Sequence, residues 1–223
     1  MTTHVNAAGS NPLAGLGKMG CGLLGCGGLL LLALIIGGWM VGIYNNMVKE
    51  QETVETAWAQ VENVYQRRMD LVPQLVETVR GAKEGEIEAL ERVMKARAEA
   101  TSVKIDASNL DEASLKKFQD AQGQLGMALS RLMAVSEAYP DIKFNENFKT
   151  LQAQLEGTEN RIAVERQKFN ETAKTYNTYI RTFPNSLLAG LFGFDRKPLF
   201  QAQAGADQAP KIDFSSKSGG NNQ

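Results

Sequence analysis

Residues 54–79 read VETAWAQVENVYQRRMDLVPQLVETV, and this stretch decides the fold. Val54, Trp58, Val61, Tyr65, Arg68, Val72, Leu75 and Val79 recur at steps that alternate four and three. That spacing lines one stripe of an α-helix against neighbouring helices. Pro73 interrupts the seam without destroying it, so a kink is expected there.

Working outward, the same period returns three times. A second stripe runs Ile87, Leu90, Met94 and Ala98, behind Glu84, Glu86 and Glu88, whose charge suits a helix N-terminus. Gly81 and Gly85 close the first hairpin, and Asn109 with Glu112 is spaced as a capping box for the third helix. That helix carries Leu115, Phe118, Gln122, Leu125, Leu129, Leu132 and Tyr139, and Pro140 stops it. The fourth starts near Asn145, runs through Phe148, Leu151, Leu155, Thr158, Ile162, Glu165, Phe169 and Tyr176, and ends at Phe183-Pro184. Short connections between four stripes predict an all-α, antiparallel, coiled-coil-like four-helix bundle over residues 44–183. The first and fourth helices are the long pair. Aromatics make up only 7% of the chain, which favours cores of Leu, Val, Ile, Ala and Met over an aromatic-rich β core.

Upstream, Leu23 to Ile43 reads LLGCGGLLLLALIIGGWMVGI without a charge. About 20 such residues match a hydrocarbon core of ~30 Å, so residues 19–43 are assigned as a transmembrane helix. Trp39 and Tyr44 stand where amphipathic rings favour an interface. A signal peptide would need a short apolar core and a small-x-small cleavage site, and here a long run continues directly into helix. Leu23-Leu24-Gly25-Cys26 has the shape of a lipid-attachment box, but the apolar core follows it instead of preceding it. Ala33 with Gly37, and Gly38 with Gly42, form small-xxx-small pairs that would let two anchors approach closely. Glycine is also common in such segments, which is the plainer explanation. Lys18 before the anchor and the acidic run after Lys49 mildly favour a bundle outside the cytoplasm. Residues 1–18 and 201–223 are small, polar and aperiodic, and disorder is expected of both.

Function is bounded chiefly by exclusion. A net charge of −1 removes the basic face that nucleic acid requires. Cys21, Cys26 and His4 all lie in or before the anchor, so the bundle has neither cysteine nor histidine. It therefore lacks a thiol nucleophile, the commonest general base and the softest metal ligands. Bundle di-metal sites need Glu-x-x-His, and Glu84, Glu86, Glu88 and Glu91 read as a solvated helix start. Neither a phosphate loop nor a G-x-S-x-G elbow is present. No catalytic, cofactor or metal residue is assigned.

The polar residues within the seams are Arg68, Thr158 and Glu165. Long side chains can reach from a seam to water, as Arg does by snorkelling. The alternative is a buried polar layer that fixes register. If the long helices are antiparallel, facing positions sum to about 225, which brings Arg68 within a turn of Glu156 and Glu159. Arg68 is expected to pair with Glu159. The same geometry returns the fourth helix to the membrane side. There residues 184–200, with the uncharged run Ser186 to Phe194, form an apolar amphipathic tail segment too short to span. It is expected to pack on protein or on the bilayer interface, with the bilayer favoured.

Arg67-Arg68-Met69-Asp70-Leu71-Val72-Pro73-Gln74-Leu75-Val76 resembles the bacterial LemA family. The likeness continues through Gly157-Thr158-Glu159-Asn160-Arg161-Ile162, Arg166, Asn170, Tyr176-Asn177, Phe183-Pro184, Gly193-Phe194 and Lys197-Pro198-Leu199-Phe200. It spans roughly residues 40–200 and implies an N-terminal membrane helix followed by a coiled-coil-like bundle, with no catalytic residues to carry over. The glycine- and cysteine-rich start of the anchor lies outside it. The functional expectation is a non-catalytic scaffold or adaptor at the bacterial inner membrane, homo-oligomeric, contacting the lipid bilayer and other membrane proteins. A sensor-like or ligand-binding bundle in envelope signalling is the alternative.

Overall fold

The computed structural model describes residues 16–80, 87–137 and 145–201, and the side chains of 27–80, 88–136 and 145–201. The disordered ends, the glycine hairpin at Gly81 and Gly85, the Glu84–Glu86 helix start and the Tyr139-Pro140 stop fall outside these residues, as does the side chain of Ile87. Among the described residues there are five helices and no strand: α1 Leu16–Arg80, α2 Ile87–Ser102, α3 Glu112–Glu137, α4 Glu146–Arg181 and α5 Asn185–Phe192. Anchor and first bundle helix are one element, since α1 runs unbroken for 65 residues with Pro73 inside it.

Two compact units share these helices. Of the described residues, one comprises those within 56–174 together with 197–201; the other comprises 16–55 together with Thr175–Arg196.

In the first unit every α1 seam residue from Val61 to Val79 is buried, and Trp58 is fully enclosed. Toward Arg80 the core is aliphatic: Val72, Leu75, Val76 and Val79 pack with Leu90, Val93, Leu125, Leu132, Leu151 and Phe148. Toward Thr56 it is aromatic. Trp58 meets Phe118 and Phe169 edge-on at 5.4 and 5.5 Å and stacks on Phe200 at 5.9 Å. The change follows from where α2 stops. Arg97 Nε donates to the Met69 carbonyl at 2.8 Å, so the last turns of α2 lie at the level of Met69. Around Trp58 the fourth wall is supplied by the C-terminal strap, whose Phe200 is buried. Strap and bundle are pinned by Lys197 Nζ donating to Ser108 O and by Asn170 bonding both backbone groups of Phe200.

Two local expectations are corrected. The buried stripe of α2 is Leu90, Val93, Ala96 and Ala100, while Met94 and Ala98 are exposed. The phase is shifted because Ala and Met side chains gave a weak signal, and Val93 is the better anchor. The cap of α3 also lies two residues further along. Asp111 Oδ1 accepts from Ser114 N at 2.7 Å and Asp111 N donates to Ser114 Oγ, a reciprocal box of the kind expected of Asn109 and Glu112. Asn109 instead closes a turn onto Asp106. The backbone bond from Ser114 holds the Asp111 carboxyl below its ordinary range. Asn145 Oδ1 caps α4 by accepting from the amides of Asn147 and Phe148.

In the second unit α1 supplies buried Ile43, Met47 and Val54, and α4 supplies Tyr176 and Ile180. Phe183-Pro184 is a cis peptide bond, and α5 follows at once. Gly193 ends α5 in the left-handed region at φ 75°, where glycine carries no side-chain penalty, and Phe194 N returns to Ala189 O at 3.0 Å. The 184–200 segment is thus not one element: helix α5, a left-handed turn, and an extended strap.

Candidate functional site

At one level of the 56–174 unit, α1, α3 and α4 bring three polar side chains together, one of them a buried charge. Arg68 is buried to 4% exposure. Its Nη2 donates to Gln122 Oε1 at 2.7 Å and to Gln122 O at 3.0 Å, and its Nη1 donates to Glu159 Oε2 at 2.9 Å. Antiparallel geometry sets this meeting: stepping from 58 to 68 on α1 matches stepping from 169 to 159 on α4, and both ends of that step are contacts. The pair is asymmetric, since the Arg68 side chain is 5% exposed and that of Glu159 is 62% exposed. A charge this deep needs its acceptors, and the buried one is Gln122. Tyr65 lies under the guanidinium at 5.2 Å, and burial pushes its phenol above the ordinary range against the pull of Arg166 and Arg68.

Glu165 does not join this layer. It is half-buried and bonds Lys168 on its own helix at 2.8 Å. Thr158 is buried and returns its hydroxyl proton to Gln154 O. The residue that sequence reasoning placed in a seam without assigning it to the site is Gln122, and its position in the α3 stripe was the available signal.

Beside the layer an open groove of about 820 Å³ is lined by Tyr65, Arg68, Gln122, Gly126, Glu159 and Arg166 among others. Arg68 Nε and Gln122 Nε2 are buried along it without a protein partner. Gly126 faces Arg68 Nη1, 3.9 Å from where a Cβ would stand, so the guanidinium sits over a bare stretch of α3. Among the described residues no three His, Cys, Asp or Glu side chains could together hold a metal ion.

The other surface that stands out is apolar. Leu29 to Ile36, Trp39 and Val41 are exposed on α1, and the helix is long and apolar enough to cross a membrane. Ala33, Gly37, Gly38 and Gly42 lie on this stretch, all exposed, and a Cβ added at any of the three glycines meets nothing within 4 Å.

The family model of the LemA family matches residues 57–214. The chain belongs to the LemA family. The match takes in the strap along with the helices, in keeping with Phe200 completing the aromatic half of the core. Magnetosome protein MamQ 1 and MamQ 2 of Paramagnetospirillum magneticum are each 40% identical to this LemA-family chain over 92 residues, covering 41% of the chain and 34% of the relative. Protein LemA of Metamycoplasma hominis is 21% identical over 162 residues, covering 73% of the chain and 70% of that protein. The chain thus spans about a third of the length of the magnetosome relatives it matches. Family, helical fold and apolar N-terminal helix together describe a membrane-associated helical protein.

Proposed function

We propose that this LemA-family chain is a non-catalytic scaffold, anchored once in the bacterial inner membrane, that self-associates and presents its bundle to other membrane proteins. The observation that carries the reading is the continuity of α1, in which one helix holds both the exposed apolar run and the buried seam of the bundle. The bundle's want of histidine and cysteine supports a role without chemistry. Self-association is supported by the open faces at Gly37, Gly38 and Gly42, where a second helix could approach closely. The bundle is placed outside the cytoplasm on the charge difference across the anchor.

Purification of the full chain in mild detergent, with mass measured by light scattering, tests the scaffold. A defined oligomer that Gly38→Ile with Gly42→Ile dissociates is the expected result, and a monomer of unchanged mass contradicts it. One observation favours the ligand-binding alternative: the groove beside Arg68, with the Gln122 Nε2 on its wall lacking a protein partner. A monomer that co-purifies with a small molecule, lost on Gln122→Leu, would select that reading.

A further inference from the structure

Helix α5 carries no charge, and its two sides differ in what they touch. Leu188 and Ala189 are buried against the protein. Leu187 and Leu191, one turn apart on the opposite side, are 68% and 71% exposed. Phe183 ahead of the helix and Phe192 at its end are exposed as well. A helix apolar on both sides is expected where neither side meets water. The occupant of the outer side is indicated by Tyr44. This residue follows the apolar run of α1 over residues 29–43, and its ring meets Phe192 at 5.1 Å and Phe194 at 5.6 Å, both edge-on. These contacts hold the end of α5 beside the end of the apolar run of α1, in the same unit as Leu187 and Leu191. Exposed Arg181 and Arg196 flank the segment, at the place where lipid head groups would accept from them.

We propose that α5 is a second membrane contact, an interfacial helix whose Leu187–Leu191 side lies among the acyl chains beside the end of the anchor. Bonds from Ser186 N to Thr182 O, from Leu187 N to Pro184 O and from Phe194 N to Ala189 O satisfy part of the backbone at its two ends, and its protein-facing side replaces the polar face that a free interfacial helix needs. The inference rests on the anchored reading above. It gives the unit that holds the anchor a second contact with the same leaflet.

Spin labels in the full chain reconstituted into phosphatidylcholine–phosphatidylglycerol vesicles test it, with Cys21→Ser and Cys26→Ser as background. Labels are placed singly by Leu191→Cys, by Leu32→Cys in the anchor and by Met127→Cys on the exposed face of the bundle. Collision with oxygen, which concentrates in lipid, is compared with collision with a water-soluble nickel chelate. The expected result is an oxygen-rich, nickel-poor signal at positions 32 and 191 and the reverse at 127. A label at 191 that behaves like the one at 127 overturns the proposal. So does a label at 191 shielded from both reagents and broadened by spin coupling that dilution with unlabelled protein removes, since a second copy then covers the face. A nickel-rich label at 32 would instead sink the anchored reading itself.

Discussion

Two stretches of α1 both present large apolar side chains and could hardly use them more differently. Between Leu29 and Val41 the large apolar side chains are exposed on every side of the helix. Between Val54 and Val79 the buried ones keep chiefly to one stripe, and the rest of the helix carries Glu, Gln, Arg and Asp. The difference is one of solvent. A helix in lipid gains nothing by segregating its apolar residues, because the medium is as apolar as leucine, whereas a helix in water must gather them on the face it buries. Hydropathy without period marks the first environment and period without high hydropathy marks the second. The two meet in one uninterrupted element.

The strongest way to break that comparison is to delete a large side chain from each stretch. Trp58 is enclosed by Phe118, Phe169 and Phe200, so Trp58→Ala should cost the bundle about 3–5 kcal/mol in urea unfolding followed by circular dichroism. Leu34, 77% exposed, should give the same unfolding curve after Leu34→Ala as before it. Equal effects from the two would mean that both stretches share one core.

The polar layer sharpens the second half of the comparison, because it is the place where the buried stripe departs from its own rule. Arg68→Met strands the buried Gln122 carboxamide and should cost ~1–3 kcal/mol, and Gln122→Leu takes the neutral amide acceptor from a buried cation and should cost about as much. The double variant should recover part of the loss, since replacing both partners leaves nothing unpaired. Glu159→Gln should cost only ~0–1 kcal/mol, because its carboxylate is exposed to water. A fully buried Arg68–Glu159 pair would have reversed that order.

The smallest effect lies near Tyr176, in the unit that contains the apolar run. Burial, reinforced by Asp195 and Glu55, pushes its phenol up to about 12. The hydroxyl donates to the Asp195 carbonyl at 3.0 Å. An unfolded tyrosine loses its proton near 10, so between roughly 10 and 12 the unfolded chain binds fewer protons and stability falls as pH rises. Below 10 the two states bind alike and no dependence is expected from this group. Tyr176→Phe should flatten the slope in a melting series at those pH values, and an unchanged slope would assign it to other groups.

Periodicity carried most of this architecture in plain view. The seams of α1, α3 and α4 were legible because each has large side chains at nearly every turn, and the Arg68–Glu159 meeting followed once antiparallel register was assumed. The stripe of α2 was not, since a helix lined by Ala, Met and Val has nearly equal apolar weight in two phases. The cap of α3 was misread because Asp106, Asn109, Asp111 and Ser114 are all capping types, and only geometry shows that Asn109 is occupied by a turn. Hardest of all was the strap. Lys197-Pro198-Leu199-Phe200 has no period, so nothing in its own text says that Phe200 stands in for a missing helix against Trp58.

The central claim is that one helix passes from a uniform apolar medium into a one-sided core without a break. Single cysteines placed along residues 27–80 of the Cys21→Ser, Cys26→Ser chain, in sealed vesicles, test it directly by their reaction with a water-soluble maleimide. Positions 29–41 should all fail to react. Beyond the anchor, reactive positions such as Gln66 and Asp70 should alternate with silent ones at Val61, Tyr65 and Val72, in steps of three and four. Reaction anywhere within 29–41, or an absence of period beyond Val54, would contradict the account.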